Sequence, residues 1–488
     1  MLRRCFLRSL AVAPAAGLVH VPLVLTPEAI AQQRGGMAPA EPFKPSDEAN
    51  SPMGAGKGIY AGRVAWVRDA NATSWDGATG HWWDDASTDQ KVVHNMTSRL
   101  VQDLTGRKND KQAWDALFRN FNEVRRLGST GYRPGEKIAI KVNCNQDRSP
   151  EWGAMASFPG GGPRGGGPPD AARGGGERGG PPPAGARGGG FSRGPQNGLP
   201  SPHAVAALVT QLIEAAGVRG EDIILYDVAG TRNVGQPIYT RIRANSNPQF
   251  QAVKFLVGAD YNLGGRMFAA PDMANPIQFS KAEVPVAYLA QQVTAAKYMI
   301  NMALLRPHSL AGVTLIGKNH FGSIHFPNNG GWSPAALHSY VSRNLPMGSY
   351  NPLVDLMGHR HLGGKTMLYV LDGLYTAEHN EGSVFKWASF GDHWASSMLM
   401  SQDPVAIDSV GVDMLRSEPR ATQLRGNADN YLHEAAQAAK PPSGTVYNPD
   451  KSGVLISLGV HEHWNNSTDR KYSRNLSRKE GIELIASV

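Results

Sequence analysis

Four short apolar runs, each closed by a polar residue at its carboxyl end, constrain this chain more than any other feature. They are residues 137–142, closing on Asn143; 223–226, closing on Asp227; 297–305, closing on Arg306 and His308; and 365–371, closing on Asp372. Each has the length of a strand and is too continuously apolar for a surface helix, as strands covered on both faces are. A helix started by Ser201-Pro202 and running to Gly217 separates the first two. Strand, helix, strand in that order implies a right-handed parallel crossover. The expected fold class is therefore α/β, with three layers and a mostly parallel sheet carrying helices on both faces.

In open sheets of this kind, ligands bind in the crevice outside the carboxyl ends of the strands. The third run is the richest in chemistry. Pro307 stops the ladder, and Gly317-Lys318-Asn319-His320-Phe321-Gly322 and His325 follow, so cations, an amide and three imidazoles fall within about twenty residues. Lys318 and Arg306 suit a carboxylate or phosphate group. His308 and His320 are candidates for proton transfer, and Asp372 for the base or its orienting group. Asn143, Asp227, Asn319 and Asp408 complete the expected substrate-binding set. The competing reading is internal pairing of Arg306 and Lys318 with those same aspartates, because charges at a crevice require partners either way.

Histidine placement raises a metal. Eight of the fifteen histidines fall between positions 308 and 393, and His461-Glu462-His463 adds a pair two residues apart. On a strand, alternate side chains share a face, so both rings reach one ion. His461 and His463, with His320 as a third ligand, form the expected set for a divalent ion such as zinc, iron or nickel.

The order basic-x-His at 306–308, the Gly-Lys-Asn-x-Phe-Gly-like turn from Gly317, and Asp403-Pro-Val-Ala-Ile-Asp408 resembles the family called domain of unknown function 362. Asn143 and Asp372-Gly373 also fit its pattern, and the likeness spans roughly 136–416. The resemblance brings no established activity. Some members resemble iron–sulfur proteins through an attached ferredoxin-like module; this chain has no Cys-x-x-Cys, and beyond Cys5 holds only Cys144. An iron–sulfur cluster and an internal disulfide are therefore not expected.

The remainder concerns organisation. Arg3-Arg4, the apolar stretch that follows and Ala29-Ile30-Ala31 read as a twin-arginine-type signal peptide, residues 1–31. Its four interrupting residues, Pro14, His20, Pro22 and Pro27, rule out a stable membrane span. Export machinery is thus an expected partner, and a periplasmic or secreted location follows. Residues 32–57 read as a flexible linker, residues 58–488 as one α/β domain, and the Gly/Pro/Arg-rich stretch 153–198 as a disordered insert. A formal charge of +8 invites nucleic acid, but the leader and the insert account for most of the excess, and no basic stripe with interleaved aromatics occurs. The expected function is an enzyme for a small polar or anionic substrate. The rival is a non-catalytic ligand-binding protein using Trp82, Trp83 and Trp332, although a Trp pair covering a core edge is the simpler reading of the first two. An envelope assembly or carrier protein is a third reading.

Overall fold

The computed structural model describes residues 41–144, 199–229, 234–258, 265–328, 331–380 and 382–488. The signal-peptide reading and the insert 153–198 lie outside these residues. Nine strands form the main sheet: β1 Arg63–Arg68, β2 Ile138–Lys141, β3 Ile223–Asp227, β4 Lys254–Val257, β5 Met267–Phe268, β6 Tyr298–Leu304, β7 Thr366–Gly373, β8 Ser397–Ser401 and β9 Glu483–Ser487. Their order is β9-β1-β8-β7-β6-β2-β3-β4-β5. Only β8 runs against its neighbours; every other pair in this sheet is parallel. The four apolar runs are β2, β3, β6 and β7, which stand side by side at the centre.

Strand alternation divides the core in two. Ile138, Ile140, Leu225, Ile300 and Val370 face one layer, while Ala139, Ile224, Met299, Tyr369 and Leu371 face the other. The first layer holds α1 Gln90–Thr105, α2 Asp110–Val124 and α3 Pro202–Thr210. Their starts follow capping chemistry: Asp89 accepts from the amides of Lys91 and Val92, Asn109 from Gln112, and Ser201 from Ala204 with Pro202 in the first turn. The second layer holds α4 Pro404–Arg416 and α5 Asn430–Ala436. Trp82 and Trp83 pack into the first layer, with Trp82 edge-on to Trp83, and thus cover core. Trp332 is buried in the second. None of the three offers an open stacking face.

Three local expectations change. The apolar run 454–458 predicts a strand by its composition, but these residues have no ladder, and Val454 and Ile456 are exposed. Pairing is made just beyond them, where Val460–His461 runs antiparallel to Met53–Gly54. Ser333-Pro334 is a cap-then-proline start that predicts a helix to Arg343, but only a 3-10 stretch, Ala335–Tyr340, forms. Finally, the described part of the 32–57 linker is built into the domain. Phe43 is buried, the Asn50 amide donates to the His463 carbonyl at 2.8 Å, and Met53 pairs with His461. Composition reports backbone stiffness, and the Gly/Pro/Ala content of this arm hid the few residues that dock it.

The cap of α4 explains how that arm is placed. Asp403 Oδ1 accepts from Val405 and Ala406, as a cap should, while Oδ2 accepts from the Lys57 and Val460 amides at 2.9 and 3.2 Å. One carboxylate therefore anchors the helix, the N-terminal arm and the C-terminal segment.

Three fully buried carboxylates carry a pH signature. Burial raises Asp372 and Asp403 to about 6 and Asp408 to about 7, although each accepts backbone amides. A folded pKa above the unfolded one gives stability that is complete below about pH 4 and is lost as pH rises through 6–7. Urea midpoints measured between pH 5 and 7.5 are therefore expected to fall less steeply in Asp408→Asn than in the parent. Equal slopes would show that Asp408 does not titrate there.

Candidate metal centre

The parallel run of β7, β6, β2 and β3 carries Asp372, Arg306, Asn143 and Asp227 to the same edge of the sheet. Arg306 Nη2 donates to Asn143 Oδ1 at 3.3 Å. Lys141 Nζ lies 3.3 Å from Asp227 Oδ2 and 3.0 Å from Asn319 Oδ1. Gly322 lies against this pair, where a Cβ would collide with Lys141 Nζ and Asp227 Oδ1 and force them to shift. Lys318 Nζ sits 3.6 Å from the centre of the Phe321 ring, a cation–π contact.

Several of the expected chemical groups prove to be held by the architecture. Asp372 accepts from the amides of Ser201 and Leu374, and Asp408 from those of Ile316 and Gly317 and from the Tyr431 hydroxyl. Asn319 Nδ2 donates to Asn301 Oδ1 and the Met302 carbonyl. His308 Nδ1 accepts from the amides of Leu310 and Ala311 at 3.0 and 3.2 Å, which leaves its proton on Nε2. Burial, followed by the charges of Lys318 and Arg306, holds its pKa well below the usual imidazole value. His308 is therefore neutral, with its one ring proton on Nε2. His320 is buried against Asn301 Nδ2 at 3.2 Å, and burial lowers it to about 3.

His461 and His463 belong to a different group. One atom from each of Asp47, Asp429, His461 and His463 lies within 4.8 Å of the other three. His320 is not in this group; it lies against β6 instead. The pairing of residues 460–461 with 53–54 and the bridge from Ala49 to His463 bring Asp47 in. Asp429 directly precedes α5. Glu462 points the other way, as strand alternation requires, and accepts from the Ser473 hydroxyl at 2.6 Å.

The outer hydrogen bonds settle which ring nitrogens face inward. His461 Nδ1 is 2.8 Å from Ser409 Oγ, and the Ser409 hydroxyl already donates to the Val405 carbonyl at 2.7 Å. A hydroxyl has one proton, so Nδ1 must be the donor and Nε2 carries the lone pair. His463 Nδ1 is 2.6 Å from Asp413 Oδ1, a carboxylate that only accepts, so the same tautomer follows. Asp413 is itself oriented by the Trp464 amide at 2.9 Å and the Tyr472 hydroxyl at 3.0 Å. His433 Nε2 donates to Asp47 Oδ1 at 3.1 Å, leaving Oδ2 inward. The inward atoms, Asp47 Oδ2, Asp429 Oδ2, His461 Nε2 and His463 Nε2, are all buried without a hydrogen-bond partner.

Four electron-pair donors gathered within 4.8 Å of one another, three of them held from behind by Ser409, Asp413 and His433, form a donor set for a divalent transition metal. A cleft of about 430 Å³ adjoins the group, with Asp47 and His463 in its wall. Sequence reasoning found the two histidines and missed both aspartates. Asp47 sits in the arm read as linker, and Asp429 reads as an ordinary helix cap. A signal for the supporting pair did exist: Ser409 and Asp413, four residues apart, are polar positions on one face of an apolar helix.

Residues 191–413 match the family model described as Domain of unknown function (DUF362). No curated protein and no solved structure matches the chain. Asp47, Asp429, His461 and His463 all lie outside the matched stretch, while Ser409 and Asp413 lie inside it.

Proposed function

We propose that this protein, whose residues 191–413 match the domain of unknown function 362 family, is an exported metalloenzyme acting on a small polar or anionic substrate. Its Asp47, Asp429, His461 and His463 hold a divalent ion, and zinc, iron and nickel are the candidates that imidazole and carboxylate donors suit. When bound, such an ion polarises a carbonyl or phosphoryl oxygen of the substrate. The chain's own part is to hold the ligands: Ser409 and Asp413 fix the two rings, and His433 fixes Asp47. The twin-arginine pattern at Arg3-Arg4 supports export. Among the described residues, no helix is long and apolar enough to cross a membrane.

The observation that carries this reading is the set of four buried inward atoms without hydrogen-bond partners. A metal-free account exists: burial lowers His463, but its bond to Asp413 and the nearby carboxylates of Asp429 and Asp47 outweigh that and raise it to about 9, making an imidazolium among carboxylates. It leaves His461 unexplained. Burial and the neighbouring His463 and His433 keep that ring neutral, and its buried Nε2 lone pair still faces no donor. A cation supplies the partner.

Metal analysis of chain exported by its own host separates the readings. About one ion per chain, retained through dialysis against metal-free buffer, is expected. Metal-free chain stabilised by an added metabolite supports the binding-protein reading instead.

A further inference from the structure

Resting on that metal reading, we propose that the adjoining cleft binds a small oxyanion, a carboxylate or phosphate group, with one oxygen on the ion and the negative charge against Arg416. The cleft lining contains one arginine, Arg416, and one carboxylate, Asp47. Arg416 is the last residue of α4, and its Nη2 lies 3.0 Å from Asp413 Oδ1. That same oxygen holds His463 Nδ1 at 2.6 Å. A single atom therefore sets both the metal-facing ring and the guanidinium, so the two stay in register. A guanidinium has five N–H donors in a planar fork, and the bond to Asp413 engages one nitrogen.

The Asn465–Asn466 part of the lining is uncharged and spends its side-chain oxygens on nearby backbone amides. Asn465 Oδ1 accepts from the amides of Asn466 and Lys471, and Asn466 Oδ1 from those of Thr468 and Asp469. It shapes the cleft without competing for charge. Asp47 turns one oxygen to the metal and the other to His433, so the ion offsets the lining's one negative charge as it supplies a ligand position for the anion. Anion binding should therefore require the metal. A cleft of about 430 Å³ falls within the size range of small-molecule sites.

Full-length chain loaded with Co(II) provides the test, because its visible spectrum reports changes of ligand at the ion. Titration with inorganic phosphate, and separately with succinate, is expected to shift the bands saturably for at least one of them, which identifies the preferred oxyanion. Arg416→Gln is expected to weaken that anion by about tenfold or more, as the loss of a charged hydrogen bond does, while Co(II) stoichiometry stays near one per chain. Arg416→Lys should recover part of the loss. Bound Co(II) whose spectrum neither anion moves would overturn the anion site and leave the metal centre standing. Equal anion affinity in Arg416→Gln and the parent would overturn the role of Arg416. Failure to bind Co(II) at all would remove both proposals.

Discussion

His461→Ala combined with His463→Ala is expected to abolish metal retention while the chain stays folded. The two substitutions remove half of the inward donors, and the two aspartates that remain cannot close a site alone. Asp413→Asn is the informative partner. It keeps every ligand but alters the acceptor for His463 Nδ1, and loss of such outer support typically costs about 10–100-fold in metal affinity. Competition against a chromophoric chelator orders the three proteins: parent tightest, Asp413→Asn intermediate, double alanine below detection. Circular dichroism should be the same for all of them. A double variant that held its ion as tightly as the parent would place the metal elsewhere and end the reading.

The second large effect is expected at the strand edge. Lys141 and Asp227 are both almost completely buried and lie 3.3 Å apart. Lys141→Met should cost about 3–5 kcal/mol, because it leaves a carboxylate in the core without its countercharge. Lys141→Met with Asp227→Asn should recover much of that loss, because removing both charges removes the desolvation problem as well. Urea midpoints of the two single variants and the double variant form the cycle. A loss below about 1 kcal/mol in Lys141→Met would show that water reaches the pair. That outcome would also turn the strand edge from a packed base into an open crevice.

The contrast between these two places shows how far residue patterns reach. The four polar strand ends were legible because each closes an apolar run, and parallel crossovers put such ends on one edge. Their roles were not legible. Asp372 reads as a base and Asp408 as a substrate ligand, yet each accepts two backbone amides, from residues about 90 or more positions away for all but the Leu374 amide. His320 looks like a ligand, but the short helix that carries it turns the ring onto Asn301. In a one-dimensional pattern, a polar atom that satisfies the fold and one that awaits a ligand are the same letter.

Local chemistry written in the chain determined the strands of the central sheet, the caps at Asp89, Asn109, Ser201 and Asp403, and the shared face of His461 and His463, because each depends on neighbours a few residues away. Only the tertiary structure decided that Asp47 and Asp429 meet those histidines, and that Ser409 and Asp413 turn the lone pairs inward. Asp47 and His463 are more than four hundred positions apart in the chain. They come together because Asp403 ties the N-terminal arm and the C-terminal segment to the start of one helix, and no periodicity encodes a bond of that span.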